Sequence, residues 1–198
     1  MCQYVETMCA VNGIIELIDY HNERLNRTRH ELFGCNDIIV LNDIIHHDNS
    51  VGCLKVRVVY DASGVTEVSY SPYTPKKIHY LRIVTDDDID YRYKSTNRTR
   101  LQSLASMKGD CDEVLIVRNG LITDTSYTNV AVNINDEWYT PRLPLLKGTR
   151  RASLLDKGII KEKDIYVSDI NEKSEIMLFN GMMDFGTCKA FVKIKLNR

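Results

Sequence analysis

EVLIVRNGLITDTSYTNVAVNINDEWYTP, residues 113 to 141, reads as two β-hairpins in succession. Asn119-Gly120 separates an apolar run at 113–118 from a second at 121–126. Asn-Gly is the dipeptide that a two-residue hairpin turn selects, because both central residues need positive φ. Asn135-Asp136 divides VAVNI (130–134) from EWYTP (137–141) in the same way. Upstream, LKVRVVY (54–60) alternates, Asp61 to Gly64 turns, and VTEVSYSPY (65–73) returns as a further hairpin. IHYLRIV (78–84) is another strand, after a break bracketed by Pro72 and Pro75, and strands near 164–168, 175–180 and 190–196 are expected to close the chain.

Helical signals are fewer. GIIELID (13–19) is short and isoleucine-rich and predicts a strand. Asp19 then N-caps a helix running to Leu32 or Phe33, with Leu25, Thr28 and Leu32 on one face and Gly34 as its stop. A second helix is expected over Asp37–Ile45, and a short one from Thr99 to Met107 turns Leu101, Leu104 and Ala105 inward. The segment 145–158 begins as a loop and becomes a helix that stops at Gly158. The sum is α+β: a small N-terminal lobe over 1–85 and a larger, strand-rich lobe over 86–198.

Composition narrows the function classes. The 198 residues are 43% hydrophobic and 27% charged, an ordinary globular balance. A net charge of −1 gives no overall field towards nucleic acid or an anionic membrane, so neither is an expected partner. No apolar run approaches the ~20 residues that span a bilayer. MCQYVETMCAVNG at the N-terminus lacks the basic and apolar regions of a signal peptide, so a cytoplasmic location is expected. The six cysteines (Cys2, Cys9, Cys35, Cys53, Cys111 and Cys188) have no CxxC pairing and read as free thiols.

Among candidate sites, His46-His47 does not make a metal pair, since adjacent residues do not converge on one ion, and no metal site is expected. Asp86, Asp87, Asp88 and Asp90 lack the glycine and distal glutamate of a calcium loop and read as a solvated turn. Lys94, in YKSTNRTR, taken alone is a surface lysine. The stretch KGTRR (147–151) carries more: a glycine opening a helix presents backbone N–H groups and the positive end of the helix dipole, the makings of an anion site. An ordinary helix start remains the alternative there.

These pieces fall into one order. VETMCAVNGIIELIDYHNERL, YKSTNRTRLQSL, and then Asp124, TSYTN (125–129), Thr140-Pro141 and Lys147-Gly148-Thr149-Arg150-Arg151 resemble the class IV aminotransferases, fold-type IV enzymes dependent on pyridoxal 5′-phosphate (PLP). The resemblance implies a two-lobed D-amino acid aminotransferase-like fold with the cofactor between the lobes, a homodimer, and a small-molecule amine as substrate. It assigns Arg24 of YHNERL to the cofactor phosphate and Lys94 to the Schiff base with PLP. Asp124 falls where the family has a glutamate on the pyridine nitrogen, and Gly148, Thr149 and Arg150 fall in the phosphate loop. Arg98 and Arg100 become candidates for substrate carboxylates. Three residues depart from the pattern: Asp124 is a methylene shorter than glutamate, Thr149 replaces an aliphatic residue, and Ala131 replaces an aromatic one.

Within the family, YKSTNR is more similar to the short lysine-to-asparagine-arginine run of 4-amino-4-deoxychorismate lyase than to the glycine-rich stretch of branched-chain transaminases. The resemblance therefore implies a lyase forming 4-aminobenzoate and pyruvate, a step of folate synthesis. A branched-chain or D-amino acid aminotransferase, and a PLP-fold protein that binds without turnover, are the alternatives.

Overall fold

Both residues of the Asn119-Gly120 turn take positive φ, 52° and 76°, as do Asn135-Asp136 and, near the N-terminus, Asn12-Gly13. These three pairs are the corners of hairpins in a computed structural model that describes residues 2–46 and 53–193. The chain divides into two units, Met1–Pro75 with Tyr93–Asn97, and Lys76–Arg92 with Arg98–Arg198. It therefore passes between units at 75/76, 92/93 and 97/98, and the segment carrying Lys94 belongs to the first unit.

The first unit is a sheet of order β2-β1-β3-β4, made of β1 (Tyr4–Val11), β2 (Ile14–Ile15), β3 (Cys53–Asp61) and β4 (Gly64–Pro72), with helix α1 (Ile18–Phe33). Period-two alternation puts Tyr4, Glu6, Met8 and Ala10 of β1 opposite Tyr60, Val58, Val56 and Leu54 of β3. Met8, Val56, Val58 and Tyr60 pack with Leu25 of α1 and with Leu41 and Ile45. The buried face of α1 is His21, Arg24, Leu25, Thr28 and Arg29, spaced one helical stripe apart.

Several local expectations need correction here. The strand expected over 13–19 is only β2, and β1 was not anticipated. Helix α1 opens at Ile18 after Leu17, which takes φ 58°, so Asp19 lies in the first turn instead of capping it. Leu32 is exposed and Arg29 takes its place inside, because the Arg29 guanidinium finds the carbonyls of Asp61, Asp37 and Ala62 and the Asp37 carboxylate. The helix expected over Asp37–Ile45 is a single 3₁₀ turn at Leu41–Asp43. Its backbone groups are taken by α1: Asn26 Nδ2 donates to Ile39 O, Asn26 Oδ1 accepts from Ile39 N, and Asn22 Oδ1 accepts from Leu41 N. Side chains that capture backbone groups in this way compete with helix formation. His47 lies outside the described residues.

The second unit contains β5 (Tyr80–Thr85), α2 (Thr99–Ser106), β6 (Glu113–Arg118), β7 (Leu121–Thr125), β8 (Asn129–Ile134), β9 (Glu137–Pro141), α3 (Thr149–Asp156), β10 (Lys161–Lys163), β11 (Ile176–Asn180) and β12 (Met183–Val192). They form one mixed sheet of order β10-β9-β8-β11-β12-β5-β6-β7. The strand expected near 164–168 is replaced by β10, parallel to β9, and a 3₁₀ turn at Val167–Asp169. β12 starts far earlier than 190 because it folds back on β11. Leu101 and Leu104 of α2 pack on Val84, Val114 and Ile116. Ala131 sits in a cluster with Leu154, Phe179, Trp138 and Phe185, and the T-shaped pairs of Phe185 with Trp138 and Phe179 supply aromatic volume there.

Leu25 is fully buried at the centre of the first unit. Leu25→Ala should cost about 2–5 kcal/mol, read as a lower midpoint in urea with unchanged slope.

Candidate active site

The site begins with a carboxylate on the wrong side of a strand. Glu6 occupies the core-facing period of β1 and is completely buried. Two residues three apart on α1 meet it. Arg24 donates from Nε to Oε1 (2.9 Å) and from Nη2 to Oε2 (2.5 Å), and His21 Nδ1 lies 2.5 Å from Oε2. Burial works to raise the Glu6 pKa, but the Arg24 charge and the His21 contact outweigh it and hold the carboxyl at about 2. Burial also lowers the His21 pKa, opposed by Glu6 and assisted by the positive charges of Arg24 and Lys94. The ring is therefore neutral near pH 7, and Nδ1 carries the hydrogen that the carboxylate accepts.

Lys94 is attached to the same strand. Val5 N donates to Lys94 O at 2.9 Å, Tyr4 and Ser95 form an antiparallel bridge, and Thr96 N donates to Gln3 O at 2.9 Å. The free edge of β1 thus fixes the backbone of residues 94–96, and the Lys94 charge is felt at His21. The first unit brings Arg24 and Lys94 into one cluster with Glu6 and His21.

In the second unit, Asp124 near the end of β7 is buried. Its Oδ1 accepts from Asn129 Nδ2 and its Oδ2 from Leu146 N, both at 2.9 Å. Asn129 Nδ2 also donates to Leu146 O at 2.8 Å. Burial raises the Asp124 pKa to about 6 against these hydrogen bonds and the Arg151 charge. Gly148 is the N-cap of α3, without any side-chain cap, and a Cβ there would stand 1.9 Å from Asn129 Oδ1. Thr149 is buried, and Arg150 Nη1 is 3.4 Å from Asp184 Oδ1.

The remaining candidates separate. Arg100 clasps Asp86 with Nε and Nη2 at 2.6 and 2.5 Å. Arg98 donates from Nη2 to Ser126 O at 2.7 Å, while its buried Nε makes no hydrogen bond among the described residues. The acidic run is a self-satisfied turn, with Asp86 also accepting from Asp88 N, Asp87 from Asn119 N, and Asp90 from Arg92.

Comparison with known proteins places this arrangement. The sequence profile described as amino-transferase class IV matches residues 3–191. The chain belongs to the class IV aminotransferase family. A Haemophilus influenzae protein whose name carries no activity is 34% identical over 181 residues, covering 89% of this chain and 96% of that one. Aminodeoxychorismate lyase of Saccharomyces cerevisiae is 37% identical over 106 residues, 50% of this chain but only 28% of the yeast protein. Among solved structures, a candidate 4-amino-4-deoxychorismate lyase from Haemophilus somnus superposes with TM-score 0.86 at 30% identity, over 93% of this chain and 98% of its own. A candidate amino-acid aminotransferase from Mesorhizobium loti follows at TM-score 0.81 and 25% identity, over 98% and 100%. Class IV enzymes depend on PLP. Each unit carries groups of a kind that PLP takes: Lys94 and a buried arginine in the first, a glycine-opened helix start and a buried carboxylate in the second.

Two residues of these clusters carry no role that the sequence alone reveals. Glu6 was detectable only by recognising β1, where a glutamate in phase with Met8 and Ala10 must be buried. Asn129 stood in the quoted loop without a role, because its partners at 124, 146 and 148 are joined only by the fold.

A carboxyl that titrates near 6 when folded and near 3.8 when unfolded binds its proton more tightly in the fold. Its favourable contribution is complete below about pH 4 and is lost as pH rises through 6, about 3 kcal/mol in all. In the class IV protein without added cofactor, Asp124→Asn cannot ionise. Its stability relative to wild type should therefore improve by about 2 kcal/mol between pH 4.5 and 7.5 in urea titrations. Equal differences at both pH values would contradict the burial effect.

Proposed function

We propose that this chain is a PLP-dependent lyase acting on 4-amino-4-deoxychorismate, releasing 4-aminobenzoate and pyruvate. The observation that carries the reading is Lys94, held by backbone pairing on the strand that bears Glu6, in the cluster with His21 and Arg24. The overlap with the yeast lyase and the likeness to the Haemophilus somnus structure support the choice of reaction.

Bound PLP supplies an electron sink for the amine-bearing carbon of a substrate. Arg24, steered by Glu6, offers a fixed guanidinium to the cofactor phosphate, and the start of α3 at Gly148, Thr149 and Arg150 offers backbone N–H groups and positive dipole. Asp124 is the carboxylate we assign to the pyridine nitrogen, where it would favour the protonated ring. Lys94 is the amine we assign as the base, since a lysine amine acts as one only when neutral. Lys94 Nζ then takes the proton from the amine-bearing carbon. Loss of the enolpyruvyl group from the neighbouring carbon, with a proton delivered to it, completes pyruvate and leaves the aromatic ring. Arg98, with its buried Nε, is the arginine we assign to a substrate carboxylate; a homodimer is the assembly we expect. The Mesorhizobium loti likeness favours a second reading, amino-acid transamination with the same lysine.

Purified protein given PLP should develop a visible band, and borohydride reduction should leave the cofactor's mass on the peptide containing Lys94. Lys94→Ala should show neither while keeping its fold. Incubation with 4-amino-4-deoxychorismate should then release pyruvate and 4-aminobenzoate in equal amounts. Turnover of an amino acid with 2-oxoglutarate, without pyruvate release, would instead select the transaminase.

A further inference from the structure

We infer that Asn129 is a positioning residue that locks Asp124 and the loop 146–148 into one rigid body, so that the carboxylate and the opening of α3 keep a fixed separation. The inference rests on the PLP reading above, in which Asp124 serves the ring nitrogen and the start of α3 the phosphate.

The geometry is a closed ring of three hydrogen bonds. Asn129 Nδ2 uses one hydrogen on Asp124 Oδ1 and the other on Leu146 O, and Leu146 N returns to Asp124 Oδ2. Each member fixes the other two. Asp124 and Asn129 belong to strands β7 and β8, and Asn129 sits opposite Phe179 of β11. Leu146 and Gly148 belong to a loop. A single side-chain amide therefore lends the loop the rigidity of the sheet, as supporting hydrogen bonds do for other ligand sites.

Few other residues could do this. Aspartate at 129 would set one buried carboxylate against another, serine has a single hydrogen to donate, and glutamine is longer by a methylene where no space exists. That lack of space is measured by Gly148, whose missing Cβ would lie 1.9 Å from Asn129 Oδ1. The φ of Gly148 is −71°, so its backbone does not demand glycine; the approach of Asn129 does. Asp124 and Asn129 are 4% and 5% exposed, so water does not compete for these bonds.

The test uses three ligands, PLP, pyridoxal without phosphate, and inorganic phosphate competing against PLP. A lock between the two ends predicts that Asn129→Ala weakens PLP about tenfold or more and weakens both half-ligands. Gly148→Ala, which pushes the same amide from the loop side, should also weaken pyridoxal, although it touches only the phosphate end. A fold defect alone would not produce that cross-effect in variants whose melting temperature stays well above the assay temperature. Should Asn129→Ala fail to fold, Asn129→Ser keeps one hydrogen bond and should weaken both half-ligands to a smaller extent. Loss of affinity for only one half-ligand, or none, in folded variants overturns the lock while leaving the PLP reading intact. No binding of PLP by the wild type overturns that reading and the lock with it.

Discussion

A carboxylate with no access to solvent sits at the centre of the first unit, and the arrangement around it follows from its need for partners. Removing one member of a buried ion pair commonly costs about 3–5 kcal/mol, because the other charge is stranded. Glu6 therefore fixes the rotation of α1: the helix must present His21 and Arg24 to β1, and Leu25, Thr28 and Arg29 follow on the same stripe. Propensity alone would have chosen the stripe of Leu25 and Leu32. The strand that carries Glu6 also receives the backbone of residues 94–96 along its edge. Helix orientation and arginine geometry are consequences of one buried charge, and the placement of residues 94–96 follows from the edge of the same strand.

The second unit solves a similar problem with weaker charge. At Asp124 burial prevails over its N–H donors and the Arg151 charge, and its proton affinity rises. The two units thus hold carboxylates in opposite electrostatic conditions, one driven to be ionised and one poised to titrate. The fold meets the two buried carboxylates through different partners, a cation at Glu6 and N–H donors at Asp124.

Much of this was legible in the residues. Turn dipeptides gave the hairpins at 119–120 and 135–136, since positive φ at two successive positions is a local demand. The order of YHNERL, YKSTNR, the 124–129 loop and KGTRR gave the family. What the sequence concealed was non-local. The segment 37–45 has the composition of a helix, and its fate depends on Asn22 and Asn26, more than ten residues away. Asn26 lies in an Asn-Arg-Thr triplet that formally reads as a glycosylation acceptor, yet its amide faces inward. The role of Asn129 is concealed likewise, because hydrogen bonds that close across 124, 129 and 146 leave no periodicity to detect. Lys94 shows the opposite case: taken alone it is one cation among several, and its place in the family's order of motifs singles it out before its pairing with β1 is known.

The grip of Asn22 and Asn26 on residues 39–41 has a dynamic meaning. A side-chain amide that donates to the C=O and accepts from the N–H of one residue replaces a sheet partner, so this stretch behaves as an extended strand whose neighbour is a helix. Its backbone protons cannot open by fraying from an edge. They are released only when α1 itself moves, and so the solvent exchange of Ile39 and Leu41 amides is tied to the integrity of the helix that carries Arg24.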